Sequence, residues 1–285
     1  MKKSILTFVA ILSFLYSSAQ EFVYYPKEVK ITNEEETYTD KYMVNGEGQI
    51  TQIISLIEYK LGGSSLISYE FCIIPKYDNK KGIIKGAKVY EYYNYRDQTI
   101  DKNEYYELNY TFNYVSETNI KVNVTTSLNA VRNEREQHGE VIINEKGELV
   151  SSDIDGYCNK PSYDNKGNMT ANEDEPELQT FIYNEQKGAL SDITTPKWLI
   201  PVLSRFNHSR ISETFIWGNM VNAVTESTKV KIKDADHKKN TKFTYQYNEE
   251  GYPVAMDIES TDMSSDLEVV VSKGEIKYSK KKAKK

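Results

Sequence analysis

The chain predicts an all-β fold, an antiparallel meander of tyrosine-rich hairpins that makes either an open curved sheet or a barrel-like one. Three observations carry that expectation. Apolar and polar residues alternate along short runs, one turn formula recurs, and the glycines that close those turns fall at a near-constant spacing. Successive side chains of a strand point to opposite faces, so alternation marks a sheet with one packed face and one solvated face.

The first segment reads as an export signal rather than part of the sheet. Lys2 and Lys3 precede a nearly unbroken apolar run from Ile5 to Tyr16, and Ser17-Ser18-Ala19 places small residues before a cut at Gln20. Such a run falls short of the roughly twenty residues that a membrane-spanning helix needs. No cysteine follows the cut to take a lipid. The expected organisation is a signal peptide over 1–19, one repeat-like β domain over 20–279 with a candidate sub-boundary near 130–140, and a basic tail over 280–285. The mature chain is then expected in the periplasm or at the cell surface.

The turn formula is a β-branched or aromatic residue, then Asn or Asp, polar residues, and Gly. It appears as Val44-Asn45-Gly46-Glu47-Gly48, Tyr77 to Gly82, Ile143 to Gly147, Tyr163 to Gly167, Tyr183 to Gly188 and Tyr247 to Gly251. An Asn or Asp side chain bonds its own backbone to begin such a turn, and glycine takes the positive-φ position before the return strand. Between turns, Tyr106, Leu108, Tyr110, Phe112 and Tyr114 alternate with polar residues, and Ile120, Val122 and Val124 return. Phe243, Tyr245 and Tyr247 do the same against Val254, Met256 and Ile258; Leu267, Val269 and Val271 follow, and Ser272-Lys273-Gly274 reads as a further turn.

Gly147 to Gly167 spans 20 residues, Gly167 to Gly188 spans 21, and Gly188 to Gly251 spans 63, or three units of 21. About 21 residues fits one hairpin with its turns. Two segments interrupt the pattern. Thr194 to Leu203 predicts a short helical excursion near 195–205, with Thr195 as its cap, Pro196 at its first position, and Trp198 and Leu199 packed on the sheet. Asn172 to Glu177 is acidic and reads as a solvated loop.

These turn units resemble the tyrosine–aspartate repeats of secreted wall-associated and Rhs-type bacterial proteins. The run Tyr183 to Leu190, then Trp198-Leu199, then Phe243 to Pro253 is similar to a secreted Bacteroidota domain of unknown function that is described as porin-like. The resemblance is best over 140–260. It implies a barrel-like β fold and carries no catalytic or ligand residues.

The chemistry is sparse. The mature chain carries a net −8 once Lys2 and Lys3 are removed, and −13 without the lysines at 280, 281, 282, 284 and 285, which argues against a nucleic-acid groove. His138, His208 and His237 lie far apart, and Asp234-Ala235-Asp236-His237 lacks the glycine and final carboxylate of a calcium loop, so it reads as a solvated loop. No metal or cofactor is expected. Nucleophile elbows, phosphate loops and paired zinc motifs are absent, so an enzyme is not expected.

Cys72 and Cys158 are the only cysteines and permit one disulfide in an oxidising compartment. The 23 tyrosines, against 9 phenylalanines, read first as half-buried sheet faces. The cluster Tyr90, Tyr92, Tyr93 and Tyr95 is the candidate aromatic binding face. The leading expectation is a non-enzymatic exported envelope protein with a binding or scaffold role, its partner an envelope glycan or protein. The alternatives are an outer-membrane β-barrel and a carbohydrate-binding or carbohydrate-active protein. Against the barrel stand a lysine-ended chain and strands that look shorter than a bilayer needs.

Overall fold

A computed structural model of the chain describes residues 22–283, apart from 62–63, 79–82, 94–104, 129–130, 175, 205–217, 233 and 264–267. The leader over 1–19 and His208 lie outside these residues. Sixteen antiparallel strands form one closed barrel in which every strand pairs with its sequence neighbours and the last pairs with the first. In order they are β1 (Phe22–Thr32), β2 (Glu36–Val44), β3 (Ile50–Leu61), β4 (Ser64–Tyr77), β5 (Ile84–Tyr93), β6 (Tyr105–Tyr114), β7 (Asn119–Leu128) and β8 (Val131–Ile143). They continue as β9 (Leu149–Ile154), β10 (Tyr157–Tyr163), β11 (Met169–Asp174), β12 (Glu177–Lys187), β13 (Asn222–Lys231), β14 (Asp234–Tyr247), β15 (Pro253–Asp262) and β16 (Glu268–Lys282). One short helix, α1 (Leu199–Ser204), lies between β12 and β13.

The turns form by the chemistry expected of them. The Asn144 carboxamide oxygen accepts from the backbone of Lys146 and Glu148, at 2.9 and 3.0 Å. The Asp164 carboxylate accepts from Lys166 and Asn168 in the same pattern. Gly147 and Gly167 then take φ of +73° and +86°, which a β-carbon would resist.

The Asx–Gly turns at 44–48, 143–147, 163–167 and 247–251 each join an even strand to the next odd one, so antiparallel order gathers them at one end of the barrel. Tyr183 to Lys187, expected as a turn, lie within β12 instead, and residues 79–82 of the turn expected after Tyr77 lie outside the described residues. Residues 188–204 leave the wall at the end where those turns gather. Thr195 does not cap α1 as expected: its hydroxyl accepts from the backbone of Ile50 at 2.7 Å, on the far side of the barrel mouth. Trp198 stands edge-on to Phe112 at 5.1 Å, and Trp198, Leu199 and Leu203 are 2 % exposed or less. The excursion is thus a plug for one end of the lumen.

Several expectations are corrected. Gly274 is no turn; it lies inside β16 opposite Met256, whose side chain fills the space a β-carbon would take. The 63 residues between Gly188 and Gly251 hold the plug and one hairpin, β13–β14, not three hairpins. Asp234 to His237 opens β14, and the acidic 172–177 segment is mostly the facing ends of β11 and β12. Strands run nine to fifteen residues except β9, β10 and β11, with six, seven and six, so short strands no longer count against a membrane span. Lys280, Lys281 and Lys282 are not a frayed tail but pair with Tyr24, Val23 and Phe22 to close the ring.

Candidate functional site

Register and burial together assign each strand position to the inner or outer face. Val29, Tyr42, Ile53, Phe71, Val89, Tyr110, Val122, Val141, Phe181, Phe243, Ile258 and Ile276 alternate inward and are buried. With the plug, they build two apolar clusters that meet around α1. The outward positions between them mix charged residues, among them Lys30, Lys41, Lys121, Glu140, Lys242, Asp257, Glu259, Lys273 and Lys277, with apolar ones such as Met43, Ile54, Ile74, Ile182, Val269 and Val271. The apolar face of this wall is turned inward.

Farther from the plug the inward positions become polar. Gln137, Ser152, Asn159, Asn172, Gln179, Ser227, Thr241 and Ser260 form a buried belt. Within it Asn172 donates to Asn159 at 3.0 Å, Gln179 donates to Ser227 at 2.9 Å, and the hydroxyls of Thr241 and Ser260 share a bond at 3.0 Å. Cross-strand bonds of this kind satisfy amides and hydroxyls that would otherwise lose water on burial. At the rim beyond them, Glu177 and Lys229 form an ion pair.

A small pocket, of about 20 Å³, opens where the plug meets the β10–β11 turn, between Tyr163, Met169, Lys197, Ile200, Pro201 and Met220. Lys197 donates to the backbone of Gly167 at 3.2 Å, and burial lowers its proton affinity against the pull of Glu148 and Asp164. The amine ties the plug to the wall.

The sequence-derived aromatic face is brought together in part, on the outer wall. Tyr90 and Tyr92 project from β5 with ring centroids 6.2 Å apart and planes 17° from parallel. Tyr105, from β6, approaches both at 5.7 Å, so that the three rings make a shallow trough. Tyr93 is the last residue of β5, and Tyr95 lies outside the described residues. Sequence reading missed Tyr105, and the only signal for it was a tyrosine at the start of the next strand.

Beside the rings, Lys88 donates to Glu107 at 2.6 Å and to the Tyr90 hydroxyl at 3.3 Å, and Asn109 donates to Glu107 at 2.8 Å. Burial raises the Glu107 pKa, but the bonds from Lys88 and Asn109 outweigh it and the carboxyl ionises below its usual range. Burial, with Cys72, Glu70 and the neighbouring tyrosines adding to it, pushes the Tyr92 hydroxyl up to about 12.

Cys72 lies on the same outer wall, buried beside the trough, and Gln52 donates to its sulfur at 3.0 Å. Cys158 is half-buried on β10, and both stand as thiols rather than as a bridge. His138 faces outward on β8 and shares a bond with Asn123 at 3.0 Å. No group of metal-ligating side chains occurs among the described residues, and no helix there is long and apolar enough to cross a membrane.

No protein-family model matches the chain, and no curated protein matches it. Among solved structures it is similar to a porin-like protein from Bacteroides uniformis ATCC 8492, at 13% identity and a TM-score of 0.39, over 91% of this chain and 98% of that one. It is also similar to a porin-like protein from Bacteroides vulgatus ATCC 8482, at 12% identity and a TM-score of 0.35, over 90% and 98% of the two chains.

Proposed function

We propose that this is a non-enzymatic exported protein of the cell envelope that acts by binding, as a closed barrel whose outer wall faces water. The polarity of the wall carries the reading. A barrel in lipid shows an apolar band about 25 Å tall on its outside, and a lysine at the bilayer midplane costs about 2–4 kcal/mol there. Here Lys30, Lys121, Lys242, Lys273 and Lys277 point outward from wall strands and break up the outward apolar residues, while the larger apolar clusters pack inside with the plug. Trp198, Leu199 and Leu203 occupy the interior at the plugged end, where an open pore would be lined by polar side chains.

A second reading is favoured by a specific observation. A wall with no free edge, built mostly of strands long enough to span, has the geometry an outer-membrane barrel requires. Closure suits that alternative better than it suits a loose scaffold. Carbonate washing of envelope membranes separates the two. The expected result is release of the mature protein into the soluble fraction; retention in the pellet, with solubility only in detergent, overturns the water-facing reading and supports the membrane barrel.

A further inference from the structure

We propose that the outer-wall trough of Tyr90, Tyr92 and Tyr105 is a binding site for an uncharged glycan. The inference rests on the binding role above and names its ligand class. Inward tyrosines such as Tyr42 and Tyr110 belong to the core, and their hydrophobic contacts account for them. These three do not: they stand partly exposed on the outer wall, where Ile54, Cys72 and Ile74 from the neighbouring strands extend the apolar surface beside them. Tyr90 and Tyr92 present nearly parallel faces, 6.2 Å apart along one strand, and Tyr105 closes one side.

Aromatic faces carry negative charge density, which attracts the polarised C–H groups on the flat face of a pyranose ring. Hydroxyls at the edge of such a ring need a few fixed polar partners, and the trough has them at its margin. The Glu107 carboxylate, held ionised by Lys88 and Asn109, accepts; the Lys88 ammonium donates. Few convergent polar groups beside an apolar face is the usual chemistry of a small-molecule site. The acidity of the body, with Glu70 and Glu107 at the trough itself, disfavours a phosphate-bearing nucleic acid.

The test is affinity gel electrophoresis of the mature protein in gels carrying neutral soluble polysaccharides, a β-glucan, a xylan and a mannan, one per gel. Retardation by at least one of them is expected, with binding weakened tenfold or more in Tyr90→Ala and in Tyr105→Ser. Tyr157→Ala, at an exposed tyrosine on another strand, should bind as the parent does. Thermal melts of each variant show that the wall is intact; Tyr105 opens its strand, so its loss leaves the ladder in place. Absence of retardation in all three gels overturns the proposal, as does retardation that survives loss of Tyr90 and Tyr105. Either failure is distinguishable from failure of the water-facing reading, which is decided by the carbonate wash alone.

Discussion

At the scale of single residues, the outer-wall pair of Lys88 and Glu107 shows how position decides worth. The Glu107 side chain is only 11 % exposed and that of Lys88 is 31 % exposed, so the pair is shielded more than a surface ion pair and its bonds are charge-assisted. Glu107 has a lowered pKa, so its contribution is present above the unfolded carboxylate value of about 4.3 and is lost as pH falls through the folded one. Lys88 has a raised pKa, so its share persists through neutral pH and disappears only as pH rises past the folded value. Glu107→Gln should therefore cost about 1–2 kcal/mol in chemical denaturation at pH 7. As pH falls through the folded value the difference from the parent should shrink; a loss that stays constant from neutral to acid pH would show that packing, not charge, makes the residue matter.

Gly274 illustrates a residue whose reason is not local. Beside Ser272 and Lys273 it looks like a turn, yet it lies in mid-strand because Met256 on β15 occupies the space above it. Nothing within a few residues of Gly274 encodes the methionine that faces it.

At the scale of elements, the hairpins were legible and the plug only half so. Alternation marked β6, β7, β14 and β15, and the Asn or Asp that begins each turn does bond the backbone as its chemistry requires. Pro196 and Pro201 announced a break in the strand pattern, and Trp198 and Leu199 were expected to pack. What the segment packs against could not be read, because Thr195 meets Ile50 across 145 residues and Trp198 meets Phe112 on β6.

The 21-residue rhythm likewise misled where the plug and one hairpin together happened to match three periods in length. The candidate trough was legible to the extent of Tyr90 and Tyr92, since they share a strand face. Tyr105 comes from the next strand, beyond an intervening segment, and its register with Tyr92 is a product of the sheet. The plug's worth follows from its burial: Trp198→Ala should destabilise by about 3–5 kcal/mol, since a large ring leaves a cavity between two clusters. A melting temperature unchanged by that substitution would show that the plug is an appendage rather than part of the core.

At the scale of the whole molecule, the sequence pointed to a curved sheet and left its closure open. Closure depends on whether β16 finds β1, which is a matter of summed twist and stagger over sixteen strands rather than of any one segment. Lysines that read as a solvated tail are instead strand residues, because the backbone of Tyr24, Val23 and Phe22 supplies their partners. Deleting 268–285 should leave the facing edges of β1 and β15 without partners, and exposed edges invite pairing with other chains. Size-exclusion chromatography is expected to show higher oligomers or aggregate; a monomer of normal stability would mean that the ring does not depend on its last strand.

The seam between β1 and β16 has a temporal side. Each of the other pairings joins neighbours in sequence and can form as soon as both strands have been made. The seam joins Phe22 to Lys282, so the strand that arrives first waits for the one that arrives last. Until β16 arrives β1 carries an open row of amides and carbonyls, and the growing sheet exposes a second such row at its newest strand. The interval between those two arrivals is the period in which this protein is most exposed to pairing with the wrong chain.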